Sequence, residues 1–294
     1  MEIVILQAVV VGVLMGGIYG LFSVGLSLIL GVAGIMHFVH GDFLMIAMYL
    51  TLGFSLLTGL DPYVTTVFVL PSTCLLAFLT YQYLPAVKRI IALSGMKQML
   101  FMLGFSYFLQ NLVLVFVGSD HLTVKTVASK LDVTAGDIFI SATRFIAGVA
   151  SVLLTLDLMF LLNKTDLGRS IRAVTQDRDA AAMMGINVNR AYMLAWVIGL
   201  GMLGVAGPML ASVFSFYPLI GNYWLMIGFM CVVMGGLGNI MGALISGFIM
   251  GIAFELGNAF LPGSTGPVLP FMIFVIVLLF KPEGLFGEAI RGVR

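Results

Sequence analysis

The sequence predicts an all-α, polytopic membrane helix bundle with eight or nine membrane segments, broken or re-entrant helices among them. Three observations carry that prediction. Of the 294 residues, 61% are hydrophobic and only 9% charged, whereas a soluble domain carries about 25% charged residues; mean hydropathy is +1.15. The apolar residues fall in runs that match the about 20 residues a helix needs to cross a bilayer. The alternating pattern of a transmembrane barrel is absent, and backbone in lipid must satisfy its own hydrogen bonds, so the runs are read as helices.

Taken in order, the first run is 3–31, which follows Met1-Glu2 without a basic region or a small-residue cleavage site. It is therefore expected to be retained as a span. Next comes "IMHFVHGDFLM", residues 35–45, which places His37, His40 and Asp42 among residues otherwise free of charge from 3 to 60. Further segments are expected at 42–60, 62–84, 98–117, 142–162, 190–213, 222–236, 239–260 and 267–280. The segment 222–236 is short and runs into Gly235-Gly236-Leu237-Gly238-Asn239, which should break a helix, so it is expected to dip partway. Cys74 and Cys231 lie in apolar segments and read as small hydrophobes rather than a disulfide.

Lys and Arg set the orientation. Lys88, Arg89 and Lys97 share one loop; Lys164, Arg169, Arg172, Arg178 and Arg190 lie in or beside another; Lys281, Arg291 and Arg294 mark the C-terminus. All three regions can face one side, assigned to the cytoplasm, which leaves 118–141 as an outer loop. A net charge of +1 gives no reason to expect nucleic acid as a partner. A single transmembrane domain is expected over 1–294.

The loop 165–190, "TDLGRSIRAVTQDRDAAAMMGINVNR", has a helix grammar of its own. Asp177 suits an N-cap, Asp179 adds negative charge near the positive helix end, and Ala180, Ala181 and Ala182 favour helix. Gly185 suits a left-handed C-cap. A helix of about two turns results, with Met183 and Met184 as apolar knobs. The bland reading is an interfacial loop helix; the functional one is a docking element.

Asp179-Ala180-Ala181 followed by Gly185 resembles the Glu-Ala-Ala…Gly coupling motif of ABC importer permeases, with Asp for Glu and without the Ile-x-Leu-Pro that often follows. The wider loop is similar to that of LivH-type permeases of the branched-chain amino-acid importers. "GGIYGLFSVGLSLILGV", "FVHGDFLM", "GFSYFLQN", "GFMCVVMGGLGNIMGALISG" and "KPEGLFG" resemble family stretches in the family's order. Where the family usually carries Asn this chain has His37, and the basic-Pro-Leu-Arg sequence after the third span is reduced to "LPAVKRI".

The resemblance implies a permease subunit of the bacterial inner membrane, with its C-terminus in the cytoplasm. It implies a second permease chain (a longer LivM-like paralogue favoured, a homodimer the alternative), two cytoplasmic ATPases that bind ATP and Mg, and a soluble periplasmic or extracellular binding protein. This chain would hold no cofactor of its own. Its substrates would be branched-chain or other hydrophobic amino acids, the alternative being urea, short amides or aromatic acids. The coupling residues would be Asp177, Asp179, Ala180, Ala181, Met183, Met184 and Gly185.

The polar motif at 37–42 is expected to stabilise a helix break near the pathway, since ionisable groups at membrane depth face a bundle interior or a wet cavity. Gly34 and Gly41 bracket His37, Phe38 and His40; Asp42 is expected to cap the next helix, and His40 to hydrogen-bond across the break. A direct substrate contact is the lesser reading, with His37 the candidate. Metal binding is set aside because zinc needs three or four ligands and the third histidine, His121, is in the outer loop. Gly235, Gly236 and Gly238 are candidates for packing or gating, Glu255 for an interior pair, Asp157 for a solvated position, and Gln110-Asn111 for hydrogen bonds joining helices. A lone copy is expected to leave "VHGDF" and 235–238 facing lipid. A proton-coupled carrier using His37, Asp42 and Glu255 and a passive channel are the competing functions, and neither needs a projecting coupling helix. The chain has no Gly-x-x-x-x-Gly-Lys-Ser/Thr loop, so it is not expected to be the ATPase.

Overall fold

The long first run contains no Pro and no charge after Glu2, and α1 (Glu2–Ala33) is one continuous helix of 32 residues. The computed structural model describes residues 1–83, 95–135, 138–263 and 265–287. Gly34 ends α1 at φ 65°, its N–H donating to the Leu30 carbonyl at 2.9 Å, a conformation that glycine adopts without steric cost. After a short irregular stretch follow α2 (His40–Thr58), α3 (Pro62–Tyr83), α4 (Gly95–Val117) and α5 (Ala142–Lys164). The loop helices α6 (Asp166–Gln176) and α7 (Arg178–Met183) lead to α8 (Val188–Gly201), α9 (Leu203–Val213), α10 (Ile220–Gly235), α11 (Ile240–Phe260) and α12 (Val268–Phe280).

Among the described residues, seven helical stretches are long and apolar enough to cross a bilayer: α1 to α5, α8 with α9 as Val188–Val213, and α11. The helices α10 and α12 are apolar but shorter. The chain is thus an all-α polytopic bundle. The segment expected at 190–213 is interrupted at Met202, where the Val205 N–H reaches back only three residues to the Met202 carbonyl.

At the centre, α1 packs against α5, α8, α10 and α11. Its Gly12, Gly16 and Gly20 recur every four residues and meet α11 backbone directly; a Cβ on Gly251 would stand 2.5 Å from the Gly16 Cα. Small residues let membrane helices approach this closely, and dispersion contacts then hold them.

Two ends of the bundle are defined by side-chain bonds. At one end the Asp61 carboxylate accepts from Thr126 Oγ1 and the Val127 N–H, both at 2.7 Å. At the other the Tyr81 hydroxyl donates to Asn189 Oδ1 at 2.8 Å, joining the end of α3 to the start of α8. The second end also gathers the 164–190 loop, the α10–α11 turn and the segment after α12. Of the basic residues used for orientation, Lys88, Arg89, Arg291 and Arg294 lie outside the described residues.

The loop between α4 and α5 contains short regular elements. It holds a 3₁₀ turn (Val127–Lys130) and a hairpin of β1 (Asp132–Ala135) with β2 (Ile138–Ser141), paired antiparallel with Asp132 opposite Ser141. Leu122 forms a further bridge with Phe216, both backbone bonds being 2.9 Å.

Candidate functional site

The loop between α5 and α8 folds as two helices, where one short helix was expected. Thr165 caps α6, its Oγ1 accepting from the Gly168 N–H at 3.3 Å. Gly168, Ile171 and Val174 form its buried side, and Gly168 lies so close to the Leu162 carbonyl that a Cβ would fall 1.9 Å from that oxygen. Arg172 adds a bond to the same Leu162 carbonyl. Together these contacts fold α6 back onto the end of α5.

Asp177 ends α6 in an extended conformation and caps α7, its Oδ1 accepting from the Asp179 and Ala180 N–H groups at 2.9 Å each. At the other end Gly185 has φ 81°. Its N–H donates to the Ala182 carbonyl at 3.0 Å, and the Ile186 N–H to the Ala181 carbonyl at 3.1 Å. That pair of bonds is the Schellman arrangement, which uses up carbonyls a helix end leaves open. Ala181 is buried against Val174 and Ala191, and the Arg178 guanidinium lies 5.8 Å from the Tyr192 ring centre. A six-residue helix is marginal alone; this one is fixed at both ends and on one side. Met183 and Met184 project from it, 82% and 83% exposed, and Asp179 is exposed beside them.

Behind α6 lies a cavity of about 670 Å³, lined in part by Gly31, Asn163, Arg172, Gln176, Asn239 and Phe286. Its floor is the α10–α11 turn. Gly235 packs on Gly242, while Gly236 and Gly238 take φ 104° and 80°, and Gly238 rests against Gly31. The segment after α12 returns to this turn: the Leu285 and Phe286 N–H groups donate to the Met234 and Gly235 carbonyls at 2.7 and 3.2 Å. Asn239 caps α11 through the Gly242 N–H and donates to the Phe286 carbonyl, both at 2.9 Å.

At the break, α2 begins at His40, so His40, Gly41 and Asp42 form its first turn rather than the break itself. The His40 Nε2 lies 3.2 Å from the Phe22 carbonyl of α1; a carbonyl only accepts, so Nε2 carries a hydrogen. His37 is fully buried, its ring 4.5 Å from Trp196 edge-on and 5.6 Å from His40, with neither nitrogen hydrogen-bonded among the described residues. Phe38 is half-buried against Phe229. Gly41 meets Gly221 of α10, with no room for a Cβ on either.

Three expectations are corrected here. Asp42 does not cap α2, whose N-cap is Val39 without a side-chain bond; the carboxylate instead accepts from Gln110 Nε2 at 2.8 Å. Gln110 does join helices, but Asn111 faces outward and, among the described residues, bonds only to the Tyr107 carbonyl of its own helix. "VHGDF" does not face lipid, because Val39, His40, Gly41, Asp42 and Phe43 are all buried by their own chain. Glu255 is half-buried and forms no ion pair among the described residues, and Asp157 is exposed. Asn222, which bonds to Gln110 at 3.0 Å, was missed, and Asn239 was read only as part of a helix-breaking run and not as a cap. Each is a single amide in an apolar stretch, which was the available signal.

Residues 8–278 match the family model described as "Branched-chain amino acid transport system / permease component". The chain belongs to this family. It is 30% identical to the high-affinity branched-chain amino acid permease LivH of Escherichia coli K12, over 96% of each chain. It is 28% identical to BraD of Pseudomonas aeruginosa, again over 96% of each. The probable LivH of Methanocaldococcus jannaschii is 28% identical over 91% of this chain and 88% of its own. No solved structure gives a significant match. As a member of the permease family the chain is a multi-pass membrane transport subunit.

Proposed function

We propose that this permease is one of two translocation subunits of an ATP-driven importer for branched-chain or other hydrophobic amino acids; its relatives LivH and BraD are named for branched-chain amino acid transport. Two cytoplasmic ATPases dock on α7, a binding protein delivers substrate at the hairpin end, and a longer paralogue supplies the second bundle. The observation that carries this reading is α7: two methionines held out from a short helix that is capped at both ends. Exposed apolar knobs of this kind mark a docking surface, and methionine adapts to a partner's groove. Eight or nine membrane segments, with the C-terminus in the cytoplasm of a bacterial inner membrane, agree with the seven long apolar helices and two shorter ones among the described residues and with the basic residues at the α7 end. Urea, short amides or aromatic acids remain the alternative substrates, since the binding protein sets much of the selectivity.

The test is ATP-driven uptake of radiolabelled leucine by the reconstituted complex, with ATP hydrolysis measured in parallel. Met184→Asp should break docking, because a carboxylate buried without a partner costs several kcal/mol. Gly185→Pro should do the same, because proline holds φ near about −65° where Gly185 needs 81°. Uptake should fall at least tenfold in both while the membrane subunits still assemble. Normal uptake by both variants rejects the docking role, and leucine uptake without ATP rejects the importer.

A further inference from the structure

The face built by α4 and α10 carries amides where lipid would meet apolar groups. Asn111 and Asn222 are exposed there, about 10 Å below the outer end of α4 at the helical rise per residue. Polar side chains at membrane depth face a partner, a bundle interior or water.

Behind Asn222 the donors and acceptors do not balance. Gln110 Nε2 has Asp42 Oδ1, Ser106 Oγ and Asn222 Oδ1 within 2.8–3.0 Å, but an amide nitrogen has only two hydrogens. Asp42 Oδ2 and Gln110 Oε1 have no hydrogen-bond partner among the described residues, although both side chains are 1% exposed. No Lys or Arg among those residues pairs with Asp42. A buried carboxylate without a cation is costly. A cavity of about 150 Å³, lined by Gln110, Asn111, Ser119 and Tyr217, lies beside this cluster, between Gln110 and the residues that follow α4.

Resting on the permease reading above, we infer that the α4–α10 face walls the translocation pathway and that Asp42 with Gln110 receives the substrate's ammonium group in transit. An ammonium brings three N–H donors and a positive charge, which is what Asp42 Oδ2 and Gln110 Oε1 lack, and it can take over the acceptor Asn222 Oδ1 once Gln110 turns away. Gln110 stands between Asn222 and Asp42, so rotation of its side chain opens the carboxylate to the face. Transient pairing then favours zwitterionic amino acids over substrates without an amino group.

The test uses the complete reconstituted complex with Cys74→Ala and Cys231→Ala, carrying Asn222→Cys or the control Leu153→Cys, an exposed position on α5. Each is treated from outside with 2-aminoethyl or 2-sulfonatoethyl methanethiosulfonate. Asn222→Cys should react with both reagents and Leu153→Cys with neither. The ratio of the cationic to the anionic rate should fall at least tenfold when Asp42→Asn is added, and rise with Gln110→Glu should the first variant fail to assemble. An inert Asn222→Cys overturns the pathway wall; a ratio unmoved by the acidic-site change overturns the ammonium site. ATP-driven uptake of leucine, urea and an aromatic acid by the unsubstituted complex is measured alongside. Absence of uptake of all three rejects the importer itself, whereas intact uptake with inert Asn222→Cys rejects only this inference.

Discussion

Gly41 has no space for a side chain: a Cβ there would lie 2.0 Å from the Gly221 carbonyl oxygen. Gly41→Ala must therefore part α2 from α10, an overpacking cost of about 1–3 kcal/mol placed on the helix that carries His40 and Asp42. Gly53→Ala is the internal control, since nothing lies within 4 Å of its Cβ position and alanine favours helix by about 0.5–1 kcal/mol. Thermal unfolding of the purified complex should fall for the first and hold or rise for the second; equal behaviour would show that the crossing is not tight. His37 makes a separate case. Its burial against Trp196 and His40 favours a packing role over substrate contact. His37→Asn should then cost about 0.5–1.5 kcal/mol of aromatic edge contact and leave the preference between leucine and competing substrates unchanged. A large shift in that preference would return His37 to the pathway. From sequence, the glycines and histidines announced a break, but what Gly41 and Asp42 pack against lies far along the chain. Periodicity cannot show that Gly41 needs Gly221, or that Asp42 turns to Gln110 instead of its own backbone.

At the scale of elements, cap chemistry was the most legible feature because it is local. Asp177 and Gly185 lie within nine residues and set both ends of α7 from inside the loop, while packing of Ala181 holds its side. The preceding α6 went unread because its buried side is only Gly168, Ile171 and Val174, and that glycine counts as apolar surface only once Leu162 is seen against it. The C-terminal "KPEGLFG" resembled the family without explaining itself. It closes the open carbonyls of α10, and Asn239 ties it to the start of α11. Asn239→Ala removes both the cap and the tail bond and should cost about 0.5–2 kcal/mol, whereas Asn239→Asp keeps the acceptor and loses only the donor. Hydrogen exchange at the Leu285 and Phe286 amides should rise in both variants, but the start of α11 should loosen only in the alanine. Unchanged exchange in Asn239→Ala would mean that the backbone bonds alone hold the tail.

For the whole molecule, composition gave the membrane bundle and the positive charges gave a consistent pair of ends, but neither could show which surfaces one chain buries by itself. The expectation that an isolated bundle exposes "VHGDF" fails, so that segment gives no reason for a second chain. A different reason takes its place. Asn111, Asn222 and Tyr223 stand on the α4–α10 face, and α4 buries only Met102, Ser106, Gln110 and Val113 within its own chain. Amides left toward hydrocarbon cost free energy that a partner bundle or an aqueous pathway between two bundles removes. Two copies of α7, one from each bundle, would also give each ATPase its own docking helix. Native mass measurement of the purified complex should therefore find two permease chains for two ATPases, this chain with a longer paralogue, or two copies of this chain in the alternative. With Asn222→Cys the partner bundle should shield that face from lipid-soluble reagents while water-soluble ones still reach it. A complex with one permease chain per ATPase pair would rule out both pairings and leave the α4–α10 amides without a reason.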